Sequence, residues 1–225
     1  MSPPAPRIIA TLFAGALGLV LAASGCSSPH PNAPNRPSSS ASATASQLND
    51  GASGGAFQGV GLTPPQPRPS FTLIDDSGKS FNFGEQTAGR PTLLYFGYTN
   101  CPDVCPQTMA DIGLALRSLP VALQKQTDVV FVSTDVKHDT GPIIKTWLTN
   151  FSDGTQANFV GLRGTQAQVN AAQAAAHVPL AEDGGQTHSA TVFLFGHDDY
   201  ARVIYPQSNV EQQAIAHDLP IVAKS

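Results

Sequence analysis

The chain has 225 residues, and 12 Lys and Arg against 16 Asp and Glu leave a formal net charge of −4 at pH 7. No basic run occurs anywhere, which excludes the electrostatic footprint of a nucleic-acid-binding protein. His30, His138, His177, His197 and His217 are scattered and form no His-rich tract.

Residues Ile8 to Ala23 are almost wholly apolar, with Arg7 as the only cation upstream. A spanning helix needs about 18 or more consecutive apolar residues, so this stretch reads as a secretory h-region. The small residues Ala22-Ala23-Ser24-Gly25 lead into Cys26, an order that resembles a bacterial lipoprotein signal. The resemblance implies a signal peptide over residues 1–26, with Cys26 lipidated after cleavage. The alternative is an uncleaved signal anchor. Either way the remainder is expected outside the cytoplasm, tethered to a membrane. Residues 27–62 are Ser, Ala, Pro, Asn and Gly with hardly any large apolar side chains, too little to offset ordering entropy, and read as a disordered tether. From Thr63 to Ser225 the composition becomes globular, with length enough for one good core.

Within that domain, Phe71 to Ile74 reads as a strand, and Asp75-Asp76-Ser77-Gly78 as a turn into Ser80 to Phe83. Thr92 to Tyr98 is a continuous apolar run, as expected of a central strand covered on both faces. Met109, Ile112, Leu116 and Leu119 then recur at helical spacing until Pro120. Asp128 to Ser133 is a second buried strand, and Thr140-Gly141-Pro142 opens a helix running to Phe151. Phe159 to Leu162 is a short strand, and Thr165 to His177 an alanine-rich helix before Pro179. Ala190 to Phe195 and Ala201 to Tyr205 form a hairpin around Gly196-His197-Asp198-Asp199, and Val210 to Leu219 closes the chain as a helix. Strands alternating with helices predict an α/β, thioredoxin-like three-layer sandwich with a mixed central sheet.

The chemistry lies in Cys101-Pro102-Asp103-Val104-Cys105, at the carboxyl end of the first central strand, where open α/β sheets place their sites. Two thiols at this spacing bind a soft metal or form a reversible disulfide. As a structural staple they would do little: closing so small a loop contributes roughly 2 kcal/mol, against about 4.7 for a 100-residue loop. Pro106 disfavours helical geometry at Cys105 and suits a first helical position, so the helix is expected to start there. Its N-terminus favours thiolate over thiol. Thiolates suit Cu(I), and imidazole suits copper in either oxidation state. His188 follows the polar loop Glu182 to Thr187 and precedes a strand. In a thioredoxin-like sheet that loop faces the cysteines, so His188 is either a third ligand or a surface histidine.

Tyr95-Phe96-Gly97-Tyr98-Thr99-Asn100-Cys101-Pro102-Asp103-Val104-Cys105-Pro106 resembles the signature of the Sco/SenC family of copper-binding assembly proteins. Ser133-Thr134-Asp135 with Asp139-Thr140-Gly141-Pro142 resembles its segment after the next strand, and Thr187-His188-Ser189 its histidine loop. The resemblance implies one copper per chain, Cu(I) or Cu(II), on Cys101, Cys105 and His188, with Asp135 orienting the site. The alternative for Asp135 is a loop aspartate satisfying backbone N–H groups, and Asp103 reads as a cap. Asn100 offers no further ligand, and Val136 stands where the family usually has proline. The implied partner is cytochrome c oxidase subunit II or its assembly factors, with a thiol reductant to keep the cysteines open. The implied role is to deliver copper to the dinuclear copper site of that subunit, to reduce its cysteines, or both.

The competing class is a thiol–disulfide oxidoreductase or thiol peroxidase of the same fold, for which Cys101 and Cys105 would be the catalytic redox pair. Against it, the spacing is CxxxC rather than CxxC, and an imidazole ligand would be superfluous. Zinc on Cys2His is a third possibility.

Overall fold

A computed structural model describes residues 56–207 and 210–225. These belong to one compact unit, Asn49–Ser225. The expected signal peptide, Cys26 and the tether as far as residue 55 lie outside the described residues. Among those described, no helix is long and apolar enough to cross a membrane.

Eight strands form one mixed sheet: β1 (Val60–Pro67), β2 (Thr72–Asp75), β3 (Ser80–Asn82), β4 (Thr92–Gly97), β5 (Asp128–Ser133), β6 (Asn158–Arg163), β7 (Val192–Phe195) and β8 (Tyr200–Tyr205). Their spatial order is β1-β8-β7-β4-β5-β6-β2-β3. The central strands β4, β5 and β6 run parallel, and β7 lies antiparallel to β4 on its other side. Every residue of β4 and β5 is buried, the property that their unbroken apolar runs predict. Alternation divides them between two cores. Leu93, Tyr95, Val129 and Phe131 face α2 (Val104–Ser118), α4 (Gly141–Ser152) and α6 (Gln212–Val222). Leu94, Phe96, Val130 and Val132 face α1 (Phe83–Gln86) and α5 (Gln166–Ala175). The result is the expected α/β sandwich of thioredoxin-like type with a mixed sheet.

Several boundaries differ from the sequence reading, each for a local reason. Helix α2 begins at Val104, not Pro106, because the Asp103 side chain caps it by accepting from the Val104 N–H at 2.5 Å. Pro106 then occupies the third position, where a helix has no use for an N–H. A short helix α3 (Val121–Gln126) follows Pro120 at its N-cap, a segment that the sequence reading leaves without structure. Helix α5 opens on a capping box between Thr165 and Gln168. Helix α6 runs on through Pro220 to Val222.

Strand β1 is a further difference. It sets in at Val60, three residues before the expected domain start, and carries Pro64, Pro65 and Pro67. Proline is tolerated there because β1 is an edge strand, with β8 as its one neighbour among the described residues. Just before it, the N–H groups of Gln58 and Gly59 both donate to the buried Asp218 carboxylate of α6 at 2.8 Å.

Candidate metal centre

The cysteine loop leaves the carboxyl end of β4. Past Gly97 the chain turns at Tyr98, whose carbonyl accepts from the Cys101 N–H at 3.4 Å. Capping by Asp103 then places Cys105 inside the first turn of α2, fully buried, while Cys101 stays partly exposed on the loop. The Cys105 N–H donates to Cys101 Sγ at 3.4 Å. This packing demands glycine at 97, because a Cβ there would lie 2.9 Å from both Cys105 Sγ and the Tyr95 ring.

His188 arrives from the opposite side of β4. Strand β7 is antiparallel to β4 with Val192 opposite Tyr95, so the residues preceding β7 lie at the cysteine end of the sheet. The loop reverses through Asp183, Gly184 and Gly185, all left-handed, with φ of 51°, 70° and 102°, and a Glu182–Thr187 bridge closes it. At Gly185 both conformation and space require glycine: a Cβ would lie 2.0 Å from the Thr134 carbonyl oxygen. Thr134 Oγ1 donates to the Gly185 carbonyl at 2.6 Å, pinning the histidine loop to the end of β5. His188 Nδ1–H donates to the Ser189 carbonyl at 3.0 Å, which leaves Nε2 as the acceptor facing Cys105 Sγ at 3.4 Å. The rings of Tyr95 and Tyr98 stand edge-to-face against the imidazole, with centroids 6.2 and 5.6 Å away.

One ligand atom each from Cys101, Cys105 and His188 therefore lies within 4.8 Å of the other two. The environments of the two thiols differ. Burial opposes ionisation of Cys101, but the Cys105 and Asp103 N–H groups, with the Cys105 thiol and the Tyr98 hydroxyl, outweigh it and hold the pKa below its ordinary value. Cys105 is pushed up to about 12, chiefly by burial and further by the neighbouring Cys101 charge. Burial also lowers the pKa of His188, against the pull of the Ser189 carbonyl. A neutral imidazole and two sulfurs form a soft donor set, suited to Cu(I) and able to hold Cu(II). Exposure of Cys101 leaves one sulfur open to a partner.

Asp135 is not brought to these three. Its carboxylate accepts from the Lys137 and His138 N–H groups and pairs with His138 Nδ1 at 2.8 Å, closing its own loop. Asp139 does what the sequence reading looked for in Asp135. Buried, it accepts from the Thr99 N–H at 3.0 Å, the Thr99 hydroxyl at 2.6 Å and the Ser133 hydroxyl at 2.5 Å, so it ties the root of the cysteine loop to β5. Thr134 and Asp139 are thus the supporting residues that sequence reasoning missed. Both stand in the quoted segment around Asp135, but nothing in the order of residues says which of two buried carboxylates reaches the cysteine loop.

A family profile described as SCO1/SenC matches residues 62–223. The chain belongs to the SCO1/SenC family. Protein SenC of Rhodobacter capsulatus is 35% identical over 117 residues, which cover 51% of this chain and 49% of that protein. The chain spans about half to two thirds of the length of the curated relatives it matches. Among solved structures, apo Sco1 of Thermus thermophilus superposes with a TM-score of 0.63 at 28% identity, over 76% of this chain and 99% of the other. The copper-bound ScoI of Bradyrhizobium japonicum gives 0.57 at 28% identity, over 69% and 99%.

Proposed function

We propose that this SCO1/SenC chain is an extracytoplasmic copper carrier holding one ion per chain on Cys101 Sγ, Cys105 Sγ and His188 Nε2. It would be anchored through lipidated Cys26. Its target would be the dinuclear copper site of cytochrome c oxidase subunit II, to which it delivers copper or whose cysteines it reduces. The observation that carries this reading is the convergence, from loops 83 residues apart in sequence, of two sulfurs and an imidazole nitrogen. The copper-bound ScoI relative supports it. The residues fit the cargo: Cys101 is accessible for ligand exchange, Cys105 and His188 are held by buried surroundings, and the carbonyl at Nδ1 fixes the useful tautomer. The site also has to be reduced before loading, since a disulfide offers no thiolate. Anaerobic titration of the reduced protein with Cu(II), followed by sulfur-to-copper charge-transfer absorption, tests the reading. Saturation at one copper per chain, lost in both Cys101→Ala and His188→Ala, is expected. Tight binding that survives His188→Ala would defeat it.

The asymmetry of the thiols favours a second reading, a thiol–disulfide reductase. The Cys101 thiolate would attack a target disulfide, releasing one target thiolate and forming a mixed disulfide. Cys105 Sγ would then attack Cys101 Sγ and displace the target sulfur, closing the Cys101–Cys105 bond and freeing the second thiolate. His188→Ala leaves this chemistry nearly intact, which separates the two readings.

A further inference from the structure

One buried polar group at the centre is not accounted for by holding a metal. Tyr95 is fully buried on β4, and its hydroxyl oxygen lies 3.4 Å from Cys105 Sγ. Thr108, also buried and three residues beyond Cys105 on α2, is a polar neighbour of the phenol that favours its donation. The hydrogen bond runs from the phenol O–H to the sulfur. The Cys105 thiol in turn faces His188 Nε2, whose Nδ1–H is spent on the Ser189 carbonyl. The groups form one directed line, Tyr95 to Cys105 to His188, in which each donor has an acceptor. A phenol, with an ordinary pKa of about 10, keeps its proton throughout the physiological range.

We infer that Tyr95 is a positioning residue that sets the redox poise of the Cys101–Cys105 pair, by stabilising Cys105 as reduced sulfur through its O–H···S hydrogen bond. The inference rests on reading the two cysteines as the functional pair. Oxidation by a small disulfide such as oxidised glutathione forms the Cys101–Cys105 S–S bond and breaks the S–S bond of the oxidant. Two electrons and two protons pass to the two released thiols. A sulfur bonded to sulfur is a poorer acceptor than a thiolate or thiol, and a side chain this buried cannot turn to bulk solvent. The phenol therefore loses much of its partner on oxidation, and a buried donor without a partner is costly. Stabilising the reduced form makes the pair a stronger oxidant, that is, less willing to close.

The test is equilibration of the metal-free full chain in glutathione buffers, with the disulfide fraction read by mass after acid quenching and alkylation. Tyr95→Phe should raise the equilibrium constant for disulfide formation about tenfold, which is ~30 mV for a two-electron couple. Thr108→Val should move it the same way by less, and should add nothing in the Tyr95→Phe background, because Thr108 acts through the phenol. Should Tyr95→Phe fail to fold, Thr108→Val carries the test alone. Tyr205→Phe is the structural control: that buried hydroxyl donates to Asp218 at 3.1 Å, so its loss should lower stability without moving the constant. A constant for Tyr95→Phe within twofold of the parent, or moved no further than by Tyr205→Phe, would overturn the inference while leaving the copper reading untouched. A parent chain that never forms the disulfide would overturn the inference and the dithiol reading together.

Discussion

Cys101 receives two backbone N–H groups at the mouth of a loop, whereas Cys105 lies in the core beneath it, and this sets their reactivity. The thiolate is the nucleophile, so a lowered pKa raises the reactive fraction of Cys101 at neutral pH and a raised one nearly abolishes that of Cys105. In the reduced, metal-free protein at pH 7, Cys101 should be alkylated by iodoacetamide at least about tenfold faster than Cys105, as peptide mapping would show. Raising the pH should increase the Cys105 rate long after that of Cys101 has levelled off. The sign at His188 is the reverse of a carboxylate's: a lowered imidazole pKa keeps the neutral, ligating form to lower pH. Copper binding displaces the Cys105 proton, so affinity measured against a competing chelator should fall steadily with pH and fall more steeply only below about 6.5, the ordinary histidine value, where a proton on His188 competes as well. Gly97 completes the residue scale. Gly97→Ala forces a Cβ to within 2.9 Å of Cys105 Sγ, and overpacking of this kind costs about 1–3 kcal/mol, measurable by urea unfolding.

The loop after β5 acts as a brace between two ligand-bearing loops. Through Asp139 it holds Thr99 on the cysteine side, and through Thr134 it holds Gly185 on the histidine side. Asp139→Ala leaves the Thr99 N–H and two hydroxyls without their acceptor; the half-buried Thr99 can turn to solvent, but Ser133 is buried, and a buried polar group so orphaned costs about 1–3 kcal/mol. Its expected outcome is a loss of about 2–3 kcal/mol in stability and weaker copper binding, read by denaturation and titration. Asp135→Asn is the contrast. Its carboxylate serves its own loop and the exposed His138, so copper stoichiometry should be unchanged and stability only modestly lower. An Asp135→Asn protein that loses copper while Asp139→Ala keeps it would reverse these assignments.

On the scale of the whole molecule, both ends of the described chain meet at Asp218. This fully buried carboxylate accepts from Gln58 and Gly59 before β1 and from Tyr205 on β8. A chain cut to begin at Thr63, where the change of composition suggests the domain starts, would lose three of the eight residues of β1 and two of these donors. It should unfold at lower urea than one beginning at residue 56, by about 2–3 kcal/mol. Equal stability of the two would show that the clamp contributes nothing.

Much of this molecule was legible in the order of its residues. The unbroken apolar runs of β4 and β5, the period of Met109, Ile112 and Leu116, and the hairpin at Gly196 to Asp199 are local patterns. Local patterns report local structure because a side chain's face is set by the period of its own element. The cysteine loop was equally plain, since its spacing and Pro106 act within one turn. What the sequence left open was pairing at a distance. It could not place Val192 opposite Tyr95, which brings His188 to the sulfurs, nor choose Asp139 over Asp135 as the carboxylate that ties down the cysteine loop. Nor could it show that three prolines stand on an edge strand held by Asp218. These depend on which strands become neighbours, and that is decided by burying two faces of one sheet at once, a property of the whole core rather than of any segment.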